Sequence, residues 1–209
     1  MAAAGTLGAI ALAASGVAVS AAPTISTISI TTNQREVQGL APFQVSGAVA
    51  SGRPGEDVTI EVKECGSYAP FHASGGTQTG NGGTWIAQIA LLSTSQVRAR
   101  WREGVSESVS VRVHPYMTIT LRGRNRYFVW IRANDFFNGR RATLQRLSGN
   151  KWVKVRTFLL RRADSGGTVV SSNGTVRAKL KKGTVIRAVL PKSQAGRCYL
   201  AGFTNTLKV

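Results

Sequence analysis

The side chains with the most chemical potential in this sequence are cations. Arg177, Lys179 and Lys181 alternate with Val176, Ala178 and Leu180, which on a strand puts the three charges on one face and the apolar residues on the other. Arg122, Arg124 and Arg126 also share parity, although Gly123 and Asn125 between them point to a turn joining two strands. Arg140, Arg141, Arg146, Lys151, Lys154, Arg156, Arg161, Arg162 and Lys182 crowd the same half of the chain. The planar guanidinium fork matches phosphate, sulfate and carboxylate oxygens two at a time, so the chemistry on offer is recognition of anions. Two other readings stand beside it: a solvated strand face whose charges keep strand edges from pairing, and an interface between domains or subunits.

Aromatic residues are interleaved with these charges: Tyr127, Phe128, Trp130, Phe136, Phe137, Trp152 and Phe158. Arginines alternating with aromatics can grip a single-stranded nucleic acid by stacking over a positive groove. A β-sandwich also needs several large core residues, and most of these seven are assigned to that task. No zinc-finger, helix-turn-helix, KH or RNP signature supports a nucleic-acid partner.

Other chemistry has little to work with. Nothing matches a nucleophile elbow, a zinc-protease helix or a P-loop, and neither His72 nor His114 has a nucleophile motif beside it. The acids around Glu56-Asp57 and from Glu61 to Glu64 read as solvated strand and loop positions. A glycosidase-like carboxylate pair is the enzymatic reading that survives, and the expectation is a non-catalytic protein with no catalytic residue and no cofactor. No metal site is expected, because the histidines are far apart and no C-x-x-C occurs. Cys65 and Cys198 allow one internal bridge, two free thiols or an intermolecular bond; the internal bridge would tie the two halves of the chain together.

Length and charge set the frame for these residues. The 209 residues suit one large domain or two of about 100. With 43% hydrophobic and 17% charged residues, wholesale disorder is excluded. The net charge of +18 is distributed unevenly. Residues 1–113 balance seven basic side chains against seven acidic ones, while residues 114–209 set twenty against Asp135 and Asp164 alone. Self-repulsion at that density favours an anionic partner or a membrane surface, without choosing between them.

Residues 2–22 are uncharged and rich in Ala and Gly, ending in Val19-Ser20-Ala21 before Ala22-Pro23. This fits a signal peptide cleaved after Ala21, although no basic residue follows Met1. A retained apolar helix and an unstructured leader are the alternatives for residues 1–21, and membrane contact is expected only through this segment.

Beyond it the chain reads as short alternating segments between glycine-rich turns. Strands are expected at 25–31, 43–49, 58–63, 84–90, 97–101 and 108–113. The second half repeats the order with strands at 117–121, 127–133, 142–147, 152–160, 175–180, 185–190 and 204–209. Val58-Thr59-Ile60-Glu61-Val62 aligns with Ala142-Thr143-Leu144-Gln145-Arg146. Asn81-Gly82-Gly83-Thr84-Trp85 aligns with Ser172-Asn173-Gly174-Thr175-Val176, and Val97-Arg98-Ala99 with Ile186-Arg187-Ala188. The pattern predicts a tandem duplication: an all-β protein of two immunoglobulin-like sandwiches, a neutral one over 22–113 and a strongly basic one over 114–209. Asn173-Gly174-Thr175 is a glycosylation sequon that reads more naturally as a hairpin turn.

These motifs resemble the tandem immunoglobulin-like repeats in secreted and surface proteins of high-GC Gram-positive bacteria. The shared features are a V-T-L/I-x-V/R strand, an N/D-G-G/T-x-W/V turn, and V/I-R-A before a closing strand, with Arg98 and Arg187 at the R-A position. The resemblance implies a secreted or cell-surface structural module and carries no active site. The expected partners are further copies, other surface proteins, or an anionic cell-envelope polymer contacted by the basic domain.

Overall fold

The computed structural model describes residues 1, 27–66, 68–166 and 168–209. The expectation for residues 2–21 therefore lies outside the described residues. Among those described, no helix is long and apolar enough to cross a membrane.

The first unit contains β1 (Thr31–Thr32), β2 (Glu36–Gln38), β3 (Phe43–Ala48), β4 (Asp57–Glu64), β5 (His72–Gln78), β6 (Thr84–Ile89), β7 (Ser95–Trp101), β8 (Gly104–Val105) and β9 (Val109–His114). One sheet runs β1-β3-β6; the other runs β2-β9-β7-β4-β5, with β2 parallel to β9. The second unit contains β10 (Tyr116–Leu121), β11 (Arg126–Ala133), β12 (Arg141–Ser148), β13 (Lys151–Leu159), β14 (Arg161–Gly166), β15 (Val169–Arg177), β16 (Val185–Leu190), the one-turn helix α1 (Lys192–Ala195), β17 (Gly202–Phe203) and β18 (Leu207–Lys208). Here β10-β11-β15-β14 faces β13-β12-β16-β17, with β18 also on β16. In immunoglobulin lettering the second unit is A-B-E-D against C′-C-F-G, and the first is A-B-E against A′-G-F-C-C′. The protein is all-β, with two immunoglobulin-like sandwiches.

Strict alternation places the cores. β6 buries Trp85, Ala87 and Ile89 and exposes the residues between them, while β7 buries Ser95, Val97, Ala99 and Trp101. The apolar members of this set join Val45, Ile60, Val111 and Val113 in one cluster; Tyr127, Val129, Ile131, Leu144, Leu160, Ile186 and Leu190 form a separate second one. Close approaches at glycines fit the backbone against both cores. A Cβ on Gly47 would lie 2.0 Å from the Ser29 carbonyl oxygen and 2.7 Å from the Trp85 ring. A Cβ on Gly174 would lie 2.7 Å from the Phe158 ring.

That second glycine corrects the sequence reading. Asn173-Gly174-Thr175 is no turn but the interior of β15, with Asn173 paired to Trp130 on one side and Arg161 on the other. Glycine is there because Phe158 covers it, not because the chain reverses. β15 accordingly starts earlier than expected and stops at Arg177. Lys179 and Lys181 therefore sit in the following loop, which turns at Gly183 (φ +86°), and share no strand face with Arg177. β5 and β14 were not expected. The sequence of β5, HASGGTQ, has little strand propensity and is held by pairing along β4. Of the closing strand expected at 204–209 only β18 forms; β17 lies just before that range, and both pair with β16.

The units meet end to end. The Cys65–Cys198 disulfide joins the segment after β4 to the segment before β17 across 133 residues. Around it Thr94 N–H donates to the Cys198 carbonyl (3.0 Å), Leu200 N–H to the Val113 carbonyl (2.8 Å) and Asn134 Nδ2 to Ser93 Oγ (3.0 Å). His114 Nδ1 lies 2.5 Å from the Ala201 carbonyl oxygen. A cleft of about 570 Å³ at this joint is lined by Glu64, Asp135, Arg140 and Arg197, among others, so it carries both signs of charge.

Candidate anion-binding site

The turn between β10 and β11 is built as its sequence requires. Gly123 (φ +77°) and Asn125 (φ +57°) take the left-handed conformations that glycine and asparagine tolerate best. Arg122 N–H donates to the Arg126 carbonyl at 2.8 Å, and Ala178 N–H to the Asn125 carbonyl at 3.0 Å. The second bond draws the end of β15 against the turn. From the opposite sheet Arg156 on β13 reaches over and donates through Nη1 to the Arg177 carbonyl at 3.0 Å.

These contacts enclose an open concavity of about 620 Å³ lined by Arg124, Asn125, Arg126, Val155, Arg156, Arg177, Ala178 and Lys179. Five of the lining side chains are cationic and none is acidic. Arg126 and Arg177 are direct cross-strand partners. Like charges facing each other on a ladder are destabilising, and no acid among the described residues bridges this pair. An anion placed between them would remove that repulsion.

The remaining candidates do not converge here. Arg122 lies over the Phe128 ring, 4.2 Å from its centroid, and Arg162 lies the same distance over Phe136. Arg140 lines the interdomain cleft. Arg141 begins β12, Arg146 and Lys154 lie on the β12–β13 ladder, and Arg161 begins β14. Lys181 and Lys182 belong to the turn before β16. Of the seven aromatics, only Tyr127, Phe137 and Phe158 are buried. Phe128, Trp130, Phe136 and Trp152 are half-buried on outer faces, which corrects their assignment mainly to the core. The reason is parity: Tyr127, Val129 and Ile131 already fill the inward positions of β11, so Phe128 and Trp130 must point outward.

Of the acids expected at solvated positions Asp57 is exposed, but Glu56 is half-buried and Glu61 buried. Glu61 is buried on β4, and its carboxylate accepts from Arg98 Nε (2.7 Å) and Arg100 Nε (2.6 Å) on β7. Burial alone would raise its pKa, but the hydrogen bonds and charges of Arg100 and Arg98 outweigh that effect and hold the carboxyl below its usual range. Glu56 pairs with Arg102 (2.6 Å) and bonds Ser51, and Glu36 pairs with Arg112. Among the described residues every ion pair lies in the first unit or at its end. No group of three or more His, Cys, Asp or Glu among them is arranged to hold a metal.

No protein-family model matches the chain, and no curated protein matches it. Among solved structures, a purple acid phosphatase from yellow lupin (Lupinus luteus) seeds aligns with 87% of this chain and 40% of its own length, at 8% identity and a TM-score of 0.41. A marsupial T cell receptor aligns with 86% of this chain and 99% of its own, at 10% identity and a TM-score of 0.32. The chain thus spans less than half of the phosphatase, and at these scores neither likeness says what it does.

Proposed function

We propose that this is a non-catalytic, exported surface protein whose basic second unit attaches it to an anionic polymer, with the neutral first unit as spacer. The observation that carries the reading is the facing pair Arg126–Arg177, inside a concavity with three further cations and no acid among its lining residues. The likeness of the strand motifs to repeats of secreted and surface proteins supports export. So does a disulfide, since such bonds persist in oxidising compartments.

The test is binding of the full chain to inorganic polyphosphate as a function of salt. With five cations engaged, the logarithm of affinity should fall with that of salt at a slope of roughly −3.5, about a hundredfold between 50 and 200 mM. Replacing Arg126 and Arg177 together by serine should flatten that slope by about 1.4. Salt-independent binding, or a double variant that binds as the native chain does, overturns the reading.

A second reading has one observation in its favour. β5 is an exposed edge that pairs only with β4 among the described strands, so a copy or partner could add a strand there. Light scattering after size-exclusion chromatography would show salt-resistant oligomers, and Gly76→Pro on that edge would dissolve them.

A further inference from the structure

Arg126 and Arg177, which line the concavity, form the end rung of the outer face of the β10–β11–β15 sheet, and the ladder register lays that face out in rows. Next to Arg126–Arg177 comes Thr120–Phe128–Thr175, then Thr118–Trp130–Asn173, then Tyr116–Arg132–Ser171. A shallow hollow of about 470 Å³ lies along these rows, with Phe128 and Trp130 as its floor and Arg122 and Arg132 among its walls. From Arg126 to Arg132 the strip is about 20 Å long at the usual strand rise. It has cations at both ends, aromatic rings in the middle and short polar side chains along its sides.

We infer that this strip is a saccharide platform, so that the polymer recognised by the basic unit is an acidic polysaccharide. The inference rests on the anion-binding reading above and names its substrate class. Three observations separate it from a merely solvated face and from a nucleic-acid groove. First, the rings are surplus to the core, as the parity of β11 shows, yet they form part of a hollow. Second, the side chains of Tyr116, Thr118, Thr120, Asn173 and Thr175 make no hydrogen bond to any other described residue. Hydroxyls and an amide beside an aromatic ring suit a pyranose, which offers an apolar C–H face bordered by hydroxyls. Third, the two rings cannot stack successive bases. Phe128 stands edge-on to Trp130, with centroids 5.9 Å apart and planes at 70°, and Arg122 already covers a face of Phe128. Stacking of neighbouring bases needs a series of open faces. The flanking cations then pair with the carboxylates or sulfates of the sugars on either side. A second copy of this chain is disfavoured as the occupant by charge, since both partners would be strongly positive.

Full-length native protein and three variants, Trp130→Ala, Thr118→Val and Arg126→Ser/Arg177→Ser, would be titrated with polygalacturonate, poly(dT) and inorganic polyphosphate at one low salt concentration. Trp130→Ala should weaken polygalacturonate about tenfold and leave polyphosphate, which has no rings, within about twofold. Thr118→Val, which removes one hydroxyl beside Trp130 and keeps its shape, should weaken polygalacturonate about threefold. The arginine double variant should weaken all three polymers. If Trp130→Ala fails to fold, as thermal unfolding would show, Thr118→Val decides alone, and unchanged polygalacturonate binding overturns the inference. A loss of poly(dT) binding as large as that of polygalacturonate overturns it in favour of nucleic acid. Insensitivity of every polymer to Trp130→Ala and Thr118→Val, with the arginine effect intact, overturns the platform but leaves the anion-binding reading. No binding of any polymer by the native chain removes both.

Discussion

One position in each unit solves the same structural problem by different chemistry. Ile60 on β4 pairs with Ala99 on β7, and Leu144 on β12 pairs with Ala188 on β16. The next rung is Glu61 opposite Arg98 in the first unit and Gln145 opposite Arg187 in the second. The first unit makes an ion pair there, reinforced by Arg100. The second makes a neutral hydrogen bond, Arg187 Nε to Gln145 Oε1 at 2.9 Å, and lays the guanidinium over Trp152 and Phe203, 4.2 and 4.9 Å from their centroids. The lesson extends beyond that rung. Arg98 and Arg100 share Glu61, Arg102 pairs with Glu56 and Arg112 with Glu36, even though Arg98 and Arg102 also lie over Phe71 and Trp101; Arg122, Arg162 and Arg187 rest on aromatic rings with no ion pair among the described residues. A ring holds a cation in place without cancelling its charge. The second unit therefore keeps its positive field available, and the first unit does not.

The largest effect expected is from separating the two regions. The Cys65–Cys198 bond closes a loop of 133 residues, which in the chain-entropy account stabilises the native chain by about 5 kcal/mol. In a Cys65→Ser/Cys198→Ser variant the few backbone bonds at the joint are left to couple two separate cores. Calorimetry should then resolve two transitions, with the basic unit's shifting further when salt is lowered. A single unshifted transition would show that the joint, not the bond, couples them.

Next comes the rung itself. Glu61→Ala leaves two partly exposed arginines without their shared partner and should cost about 2 kcal/mol, the scale of hydrogen bonds to a charged group rather than of a fully buried pair. Gln145→Ala removes one neutral acceptor from a guanidinium that keeps its aromatic contacts, and should cost about 1 kcal/mol. Denaturant melts of both variants measure the contrast; equal costs would show that the ion pair adds nothing to the rung.

The sequence displayed part of this contrast. The blocks Val58–Val62 and Ala142–Arg146, and Val97–Ala99 and Ile186–Ala188, match in sequence and occupy equivalent ladder positions in the folded chain. Alternation within β6, β7 and β11 placed their cores, and the glycine and asparagine between Arg122 and Arg126 marked a turn. Partners distant in sequence were hidden. Glu61 reads as a surface acid until β7, 37 residues later, sets Arg98 opposite it. Gly174 reads as a turn residue until the Phe158 ring is seen above it. The concavity was half visible: Arg124 and Arg126 are neighbours in the chain, but Arg156 joins them by crossing from the other sheet, which no period along one strand encodes. Edge strands such as β5 lack a signature because their stability comes from the neighbour they pair with.

A titration should distinguish the two units from opposite ends of the pH scale. The Glu61 pKa lies below its ordinary 4.5 in the folded chain, so its contribution is present above that value and is lost as pH falls through the folded pKa. Tyr199 shows the reverse sign. Buried at the base of the second unit and bonded to Asn134, its hydroxyl is pushed up to about 12 from 10.0, first by burial. The neutral phenol stabilises the fold fully below pH 10, and on the order of 2 kcal/mol is lost as pH rises from 10 to 12. Burial of Tyr127 acts in the same direction. Near-ultraviolet absorbance should show tyrosine ionisation lagging behind that of a free phenol until the second unit opens, and Tyr199→Phe should make that alkaline transition shallower.

The smallest expected effect tests the comparison most directly. Gln145→Glu gives the second unit the acid that the first unit has at the same rung. It should stabilise by less than about 1 kcal/mol, for two reasons. No second arginine is available, since Val189 rather than a cation follows Ala188, and Arg187 already holds its aromatic contacts. Burial lowers the pKa of Arg187, so the charge there is partly disfavoured, and a facing carboxylate should reverse that direction. Position 145 lies outside the concavity of Arg126 and Arg177, so the salt slope for polyphosphate should stay as it was while stability acquires a new dependence on acid. If the substitution also flattens the salt slope, the second unit binds through its overall field, and its facing arginines are not a site.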